Sequence, residues 1–244
     1  MSSTTPKTRT RASAFWKGVA DGTPFLLVVG PFAMLFGVLA TEAGLNILET
    51  LAFSAVVFAG AAQFTALQLM QENAPTLIVL ASALAVNLRV AMYSASLTPW
   101  IGAAPLWQRA IAAYFTVDQS YACSVAQFEK EPQMTVPQRM AYFFGVLTPI
   151  VPTWYISTFI GAAIGTQVPE SWALDFALPI TFLAMVAPML RTAAHVIAAC
   201  VAIVVSLLAA GVPYSLGLII AGALGMIAGA QAEAIIERRK AEND

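Results

Sequence analysis

Apolar runs of about twenty residues recur along almost the whole chain, separated only by short stretches of polar residues, Gly and Pro. A helix needs roughly 20 apolar residues to cross the hydrocarbon core of a bilayer. Only 10% of the 244 residues are charged and 59% are hydrophobic, whereas a soluble domain carries roughly 25% charged residues. Because so few charges cannot cover a water-exposed surface, the chain is predicted to be an all-α polytopic membrane protein.

The polar breaks predict about eight transmembrane helices, several of them interrupted by Pro or Gly. They lie near residues 23–41, 48–70, 76–98, 107–127, 139–165, 173–190, 193–210 and 213–235. Residues 23–236 are predicted to form the transmembrane domain. Residues 1–22 before it and residues 237–244 after it are predicted to be tails on the cytoplasmic side. An even number of spans puts ten of the twelve Lys and Arg residues on one side. Since cytoplasmic loops collect basic residues, both termini are predicted to be cytoplasmic, with Arg109 outside.

Arg89 is the basic residue that falls inside the membrane, near the middle of the third span, and Asp118 lies near the middle of the fourth. Counted back from the connecting loop near residues 99–106, which is predicted to be outside, their depths agree within roughly 3 Å at 1.5 Å per residue. The two spans should be antiparallel because the loop is short, so the two charges could meet; the sequence leaves open whether Arg89 pairs with Asp118 or binds the substrate. Intramembrane ionisable residues face the protein interior, pair with one another and mark transport pathways.

Other polar residues near this pair predict a polar cavity, although a purely structural ion pair is the alternative. Arg89 and Tyr93, four residues apart, share a helix face, whereas Asn87 does not share it with Arg89. The expected substrate and coupling residues are Arg89, Asp118, Gln63, Asn87 and Tyr93. The expected lining residues are Gly60, Phe64, Met92, Gln119 and Tyr121.

Prolines and glycines inside the apolar runs predict helix breaks at Gly30, Pro31, Pro149 and Pro152. Transporters often bind substrate where discontinuous helices expose backbone groups, but proline-kinked helices also occur without a binding role. The GxxxG spacings at 161–165 and 225–229 are interpreted as close helix packing within the chain. A short likeness between residues near 59 and near 228 would fit an inverted repeat.

Several kinds of chemistry have no signal in the sequence. Motifs for nucleotide binding or for hydrolytic catalysis are absent, no metal-ligand spacing occurs, and the net charge of −1 argues against nucleic acid. His195, the single histidine, is interpreted as stabilising a helix end with Arg191. Cys123 and Cys200 are interpreted as free thiols. The chain is therefore predicted to be neither an enzyme nor a cofactor-binding protein.

Three motifs in order, "VFAGAAQFTALQL" (57–69), "NLRVAMYSASL" (87–97) and "FTVDQSYA" (115–122), resemble the AzlC family, the large membrane subunit of branched-chain amino acid exporters of the LIV-E type. The resemblance continues into "LDFALPITFLAMVAPML" (174–190). It implies export of valine, leucine, isoleucine and in some members methionine across the bacterial inner membrane. It also implies a small AzlD-type membrane protein as a partner.

The resemblance carries over residue by residue. The first family motif matches Ala59, Gly60, Ala61, Gln63 and Phe64. The second motif matches Asn87, Leu88, Arg89, Tyr93, Ser96 and Leu97. The third motif matches Asp118 and Tyr121. The chain departs from the family pattern at Val90, where a histidine is usual, and at Gln119, where a glutamate is usual. Because both departures remove titratable groups, coupling to protons is expected to depend mainly on Asp118.

The predicted function is that of the large subunit of a two-component, proton-coupled secondary transporter. Arg89 is expected to bind the substrate carboxylate, and Asp118 a proton or the substrate ammonium group. Two alternatives are a passive pore for small solutes and a scaffold subunit whose small partner forms the path.

Overall fold

The computed structural model describes residues 10–165, 190, 192–212 and 216–241. As predicted, the fold is all-α. The helices are α1 (Arg11–Gly22), α2 (Leu26–Glu42), α3 (Ile47–Val56), α4 (Gly60–Gln71), α5 (Thr76–Ile101), α6 (Leu106–Tyr114), α7 (Asp118–Lys130), α8 (Val136–Gly165), α9 (Ala193–Leu208) and α10 (Leu216–Ala241). A 3₁₀ turn, Thr23–Phe25, joins α1 to α2. The span predicted over 173–190 lies outside the described residues, apart from residue 190.

Four helices in the described part of the chain are long and apolar enough to cross a membrane. They are Arg11–Glu42, Thr76–Ile101, Val136–Gly165 and Ile220–Arg239. The predicted N-terminal tail is thus helical from Arg11 onward, and the last helix continues past residue 236. These boundaries differ from the predicted ones because hydropathy marks the apolar part of a helix, and a helix continues for as long as its backbone is hydrogen-bonded.

The described residues form two compact units. The first holds residues 10–64 and 86–165, and the second holds residues 65–85 and those from 190 onward. In the second unit α9 and α10 run antiparallel, since Gly217 lies against Ala209 whereas Gly229 lies against Ala198. A Cβ atom at Gly225 would lie 2.9 Å from the Ala198 carbonyl oxygen. The packing interpretation of the 225–229 glycines is therefore confirmed.

Glycines hold α1 and α2 along the whole length of α8 in the first unit. Gly22 lies against Val146, and Gly37 lies against Thr158 and Ala162, so the helices are parallel. A Cβ atom at Gly37 would come within 2.6 Å of the Ala162 nitrogen. Gly161 likewise lies against the Met34 backbone, which confirms the packing interpretation of residues 161–165. Small residues permit such close approach of membrane helices.

The second predicted span, 48–70, is a hairpin of two half-helices. α3 begins with a capping box, in which the Glu49 nitrogen donates to Asn46 Oδ1 at 2.9 Å and the Asn46 nitrogen donates to Glu49 Oε2 at 2.8 Å. The helix stops at residues 57–59, and α4 then turns back along α3, because Gln63 Nε2 donates to Ser54 Oγ at 3.1 Å. A single span over 48–70 is therefore wrong.

The fourth predicted span, 107–127, is a second hairpin, broken at residues 115–117. α7 runs parallel to α5, since Asp118 contacts Arg89 and Phe128 contacts Trp100 with ring centroids 6.0 Å apart. The antiparallel arrangement predicted for the third and fourth spans is correct for α6 only. Arg89 and Asp118 nevertheless lie at matching depths. The depth of Asp118 depends on the length of α6, which precedes it, and not on the direction of α7 after the break at residues 115–117.

The two hairpins enter the first unit from opposite ends. We call the end where α1 and α8 begin the proximal end, and the end where α2 stops the distal end. α5 finishes at the proximal end, because Arg139 of α8 donates to the Trp100 carbonyl oxygen at 3.1 Å and to the Pro132 carbonyl oxygen at 2.6 Å. Residues 102–105 and 131–135 therefore share one end. This corrects the prediction that the loop near 99–106 and Arg109 lie opposite Lys130 and Arg139.

The segments α2–α4 and α5–α7 follow the same plan in opposite directions. Each has a long helix, a four-residue turn (43–46 or 102–105), a half-helix of 10 or 9 residues, a three-residue break and a half-helix of 12 or 13 residues. The order and lengths of these elements suit an inverted repeat of residues 26–71 and residues 76–130, whereas the short likeness near 59 and 228 stays a prediction. Transporters are commonly built from such inverted repeats.

The predicted proline breaks are wrong. α2 continues through Gly30 and Pro31, and α8 continues through Pro149 and Pro152. A proline removes one backbone hydrogen bond, and a membrane helix tolerates this where neighbouring groups satisfy the freed carbonyl. The true breaks, at 57–59 and 115–117, contain no proline.

Cysteine labelling tests the proximal end directly. In a background with both native cysteines replaced by serine, we expect Ala103→Cys and Gln133→Cys to react with a membrane-impermeant maleimide from the same side of the membrane. If the fourth region crossed the membrane once, the two cysteines would be labelled from opposite sides. Leu45→Cys, in the turn between α2 and α3, is the matched control and should be labelled from the other side.

Candidate functional site

A charged pair joins α5 to the first turn of α7. Arg89 Nη1 lies 3.1 Å from Asp118 Oδ2, and the Tyr93 hydroxyl donates to Asp118 Oδ1 at 2.9 Å. Both charged side chains are only partly buried, with 32% exposure for Arg89 and 27% for Asp118. The structure therefore places Arg89 and Asp118 in contact, with the guanidinium beside one carboxylate oxygen and the Tyr93 hydroxyl donating to the other.

A second polar layer lies one helical turn closer to the proximal end. The rings of Tyr93 and Tyr121 stack with centroids 4.1 Å apart and planes 11° apart. The Tyr121 hydroxyl lies 3.1 Å from Ser96 Oγ. Residues three or four apart share a helix face. Because α5 and α7 are parallel, their polar residues lie side by side and form a continuous column, which we call the polar column: Arg89, Tyr93, Ser96, Asp118 and Tyr121.

Asp118 is the first residue of α7, so its carboxylate lies at the positive end of the helix dipole. The break before it is held by Ser120, whose Oγ accepts from the Val117 nitrogen and donates to the Val117 carbonyl oxygen, both at 3.0 Å. Arg89 approaches the carboxylate with Nη1. Its buried Nε has no hydrogen-bond partner among the described residues. The guanidinium thus keeps donor capacity for a second carboxylate.

The tips of the two hairpins meet each other. The Phe58 ring packs against Phe115 and Tyr114, with centroids 5.1 Å and 6.1 Å away. The Tyr114 hydroxyl donates to the Ala55 carbonyl oxygen across the junction. Trp154 of α8 also packs on Phe58, at 6.2 Å. Two helix breaks are therefore placed face to face, and aromatic rings fill the space between them.

Three residues predicted to belong to the site lie in the core around α4 instead. Gln63 is fully buried and pairs with Ser54. Phe64 packs against Phe32 with ring centroids 4.8 Å apart. A Cβ atom at Gly60 would lie 2.6 Å from Phe32 Cε1 and 2.8 Å from Trp154 Cη2. These rings occupy the space beside Gly60 and Phe64 among the described residues, and the lining role of both residues stays a prediction.

The other predicted lining residues have different surroundings. Met92, three residues from Arg89, is 69% exposed, and its lining role stays a prediction. Asn87 is half-buried, and its Oδ1 has no hydrogen-bond partner among the described residues. Gln119 is half-buried next to Asp118. Only Tyr93 and Tyr121 join the charged pair through contacts given above.

The sequence interpretation missed the aromatic tips and a second network around Asp21. Phe58, Tyr114 and Phe115 carry no motif of their own, since aromatic residues are common in membrane helices. Asp21 was placed in a tail because it precedes the first apolar run. Its spacing of four residues from Lys17 is the one local signal that favoured a helix there.

The described residues contain no group of three or more His, Cys, Asp or Glu side chains that could hold a metal ion. Cys123 and Cys200 are both free thiols. His195 lies in the first turn of α9, where its backbone nitrogen donates to Thr192 Oγ1 at 3.2 Å. The candidate site is therefore the polar column together with the tips beside it.

Comparison with known proteins identifies the family. Residues 24–168, which include both hairpins and the charged pair, match the family model described as AzlC protein. The chain belongs to the AzlC family. The predicted resemblance is thus confirmed, and an AzlC protein is a membrane protein of the transporter type rather than an enzyme.

Two curated proteins illustrate the range of the AzlC relatives. The chain is 26% identical over 189 residues to "Inner membrane protein YgaZ" of Escherichia coli (strain K12), covering 75% of this chain and 76% of that protein. It is also 26% identical over 185 residues to an "Uncharacterized membrane protein" of Archaeoglobus fulgidus, covering 74% of this chain and 78% of that protein. No solved structure matches.

Proposed function

We propose that this AzlC protein is a secondary transporter that exports branched-chain amino acids. The observation that carries the proposal is the charged pair at the tip of a half-helix hairpin, directly beside the tip of a second hairpin. Discontinuous helices with a charged residue at the break are the usual substrate sites of secondary transporters. A membrane protein that needed only stability would gain as much from packed apolar side chains as from an ion pair.

Arg89 and Asp118 match the two charges of an amino acid. The substrate carboxylate would take the unused donors of Arg89, whose planar guanidinium suits two-pronged binding of a carboxylate. Asp118 would then bind the substrate ammonium group or a proton, while the Tyr93 hydroxyl continues to donate to it. The ion pair of the structure is thus the resting arrangement, and the substrate exchanges with it.

The aliphatic side chain of the substrate would lie toward the aromatic tips. Phe115 is three residues from Asp118 and packs on Phe58. Burying a leucine side chain is worth about 1.5–3 kcal/mol, which favours branched over small amino acids modestly. Entry of the side chain would separate the two tips, so that substrate binding and opening of the path are one event.

The orientation and the partner complete the proposal. Arg11, Lys17, Arg109, Lys130 and Arg139 lie near the proximal end, which therefore faces the cytoplasm by the positive-inside rule. The relative from Escherichia coli is named an inner membrane protein, and we assign this protein to the same membrane.

A small AzlD-type subunit is the proposed partner, and inward movement of protons through Asp118 would supply the energy.

Valine efflux tests the function. Cells loaded with a valine-containing dipeptide and expressing this chain with the small subunit encoded beside it should release valine faster than cells lacking the pair. The release should saturate with internal valine and should weaken when either subunit is omitted. Equal, unsaturable flux in both directions would favour a passive pore, and absence of any valine release would contradict the proposed substrate.

A further inference from the structure

A second network repeats the chemistry of the Arg89 site nearer to the proximal end. Asp21 Oδ2 accepts from Lys17 Nζ at 2.7 Å and from the Tyr142 hydroxyl at 2.6 Å. Both sites therefore consist of one cation, one aspartate and one tyrosine. In both, the tyrosine and the aspartate come from different helices, α5 and α7 in one case and α8 and α1 in the other.

The Asp21 network lies between Asp118 and the proximal end. Cys123 of α7 contacts the Asp21 carbonyl oxygen, with Sγ at 3.9 Å. Cys123 is five residues beyond Asp118 along α7, about 7.5 Å at 1.5 Å per residue, and seven residues before the helix ends at Lys130. Asp21 is thus closer than Asp118 to the proximal surface, and the same helix passes both.

The surroundings of Asp21 suit proton exchange with the proximal solution. The Asp21 and Lys17 side chains are 33% and 28% exposed, whereas Tyr142 is almost fully buried. One side of the carboxylate thus meets solvent and the other meets the interior. Along α7, Ser120 lies between the levels of Asp118 and Cys123, and Ser124 lies one residue beyond Cys123; both side chains are fully buried. Ser124 Oγ has no hydrogen-bond partner among the described residues, so its hydroxyl keeps hydrogen-bonding capacity close to the level of Asp21.

We propose that Asp21 is a second proton site, through which the coupling proton of Asp118 exchanges with the cytoplasm. The inference rests on the proposed function, in particular on proton coupling at Asp118. A proton that leaves Asp118 would pass through water beside the α7 hydroxyls to the Asp21 carboxylate and then to the cytoplasmic solution. No bond other than O–H forms or breaks, and no electron is transferred.

The groups that face Asp21 from each neighbouring helix are consistent with both protonation states. Lys17 stabilises the carboxylate and swings to solvent when Asp21 takes the proton. Tyr142 of α8 donates to the carboxylate and accepts from the protonated acid. Cys123 of α7 contacts the backbone carbonyl oxygen of Asp21, and its thiol also lies close enough to interact electrostatically with the Asp21 carboxylate and with Lys17. The network therefore holds the site in place while its charge changes.

Two flux assays on the purified protein with its small subunit in proteoliposomes test the inference. The first measures exchange of internal for external valine without a pH gradient, and the second measures net valine flux driven by a pH gradient. We expect Asp21→Asn to keep exchange close to the native rate but to reduce gradient-driven flux at least about tenfold, since a positioned proton-transfer group contributes that much or more. Asp21→Glu should restore much of the gradient-driven flux.

The controls separate the inference from the function on which it rests. Glu129→Gln, on the exposed side of α7, should match the native protein in both assays. Unchanged gradient-driven flux in Asp21→Asn would overturn the inference. So would equal loss of exchange and of gradient-driven flux in both Asp21 variants, which would mark a structural ion pair. Native protein that exchanges valine without responding to the pH gradient would overturn the proton site alone, and native protein without exchange would overturn both proposals.

Discussion

Replacing Arg89 by alanine should abolish amino acid export while leaving the protein in the membrane at its normal level. The variant loses the proposed carboxylate ligand and leaves Asp118 with the Tyr93 hydroxyl as its remaining donor among the contacts described. A hydrogen bond from a charged group such as Arg89 to the substrate carboxylate is worth about 1.5–3 kcal/mol, so efflux at a fixed internal valine concentration should fall at least about tenfold. Valine efflux and quantitative immunoblotting of the membrane fraction measure the two effects separately.

Two further variants decide whether the pair acts in transport or only in packing. Arg109→Ala removes an exposed arginine of α6 that donates to the Gly102 carbonyl oxygen at 3.3 Å, and it should export normally. The exchange of charges, Arg89→Asp with Asp118→Arg, restores an ion pair but reverses the ligands for the substrate. It should reach the membrane normally and export poorly. Normal export by the exchanged pair would show that the charges only hold α5 and α7 together.

Gly37→Leu should destabilise the first unit strongly. A Cβ atom at Gly37 would lie 2.6 Å from the Ala162 nitrogen and 3.0 Å from the Gly161 carbonyl carbon, both of which are rigid backbone atoms of α8. Overpacking costs typically 1–3 kcal/mol and occasionally more. A protein of this size loses about 2–4 °C of Tm per kcal/mol, so we expect a decrease of about 2–12 °C. Thermal unfolding of the detergent-solubilised protein, followed by size-exclusion fluorescence, provides the measurement.

Gly30→Ala is the matched control on the same helix. The nearest atoms to a Cβ at Gly30 are Ser157 Oγ at 3.6 Å and Thr153 Cγ2 at 3.8 Å, which is ordinary van der Waals contact. Because α2 continues through Gly30 and Pro31, the alanine should change Tm little or raise it slightly. A loss at Gly30 equal to that at Gly37 would mean that the contact between α2 and α8 is not what limits stability.

The membrane class and the helical fold follow from the sequence alone, because charge density and the length of apolar runs are properties of composition and order. The matching depths of Arg89 and Asp118 follow for a related reason. Both residues are counted from the same short connection, and a helix rises by a constant amount per residue. The packing of Gly161 and Gly225 could also be predicted, since close approach of membrane helices requires small residues.

Only the tertiary structure shows that residues 47–71 and 106–130 each form two half-helices joined by a turn instead of one continuous helix. Two half-helices with a three-residue break have the same total length and hydropathy as one span, so no local pattern separates the two arrangements. The prolines pointed to the wrong places, because a helix in a packed bundle continues through a proline whose neighbours satisfy the freed carbonyl.

The breaks at 57–59 and 115–117 depend on contacts far apart in the chain. The Tyr114 hydroxyl satisfies the Ala55 carbonyl oxygen, and Phe58 packs against Phe115. Each interrupted backbone is stable in a membrane only where another part of the protein supplies its partners. Sequence order therefore determined which residues lie in the membrane, whereas tertiary packing decided which of them turn back and meet.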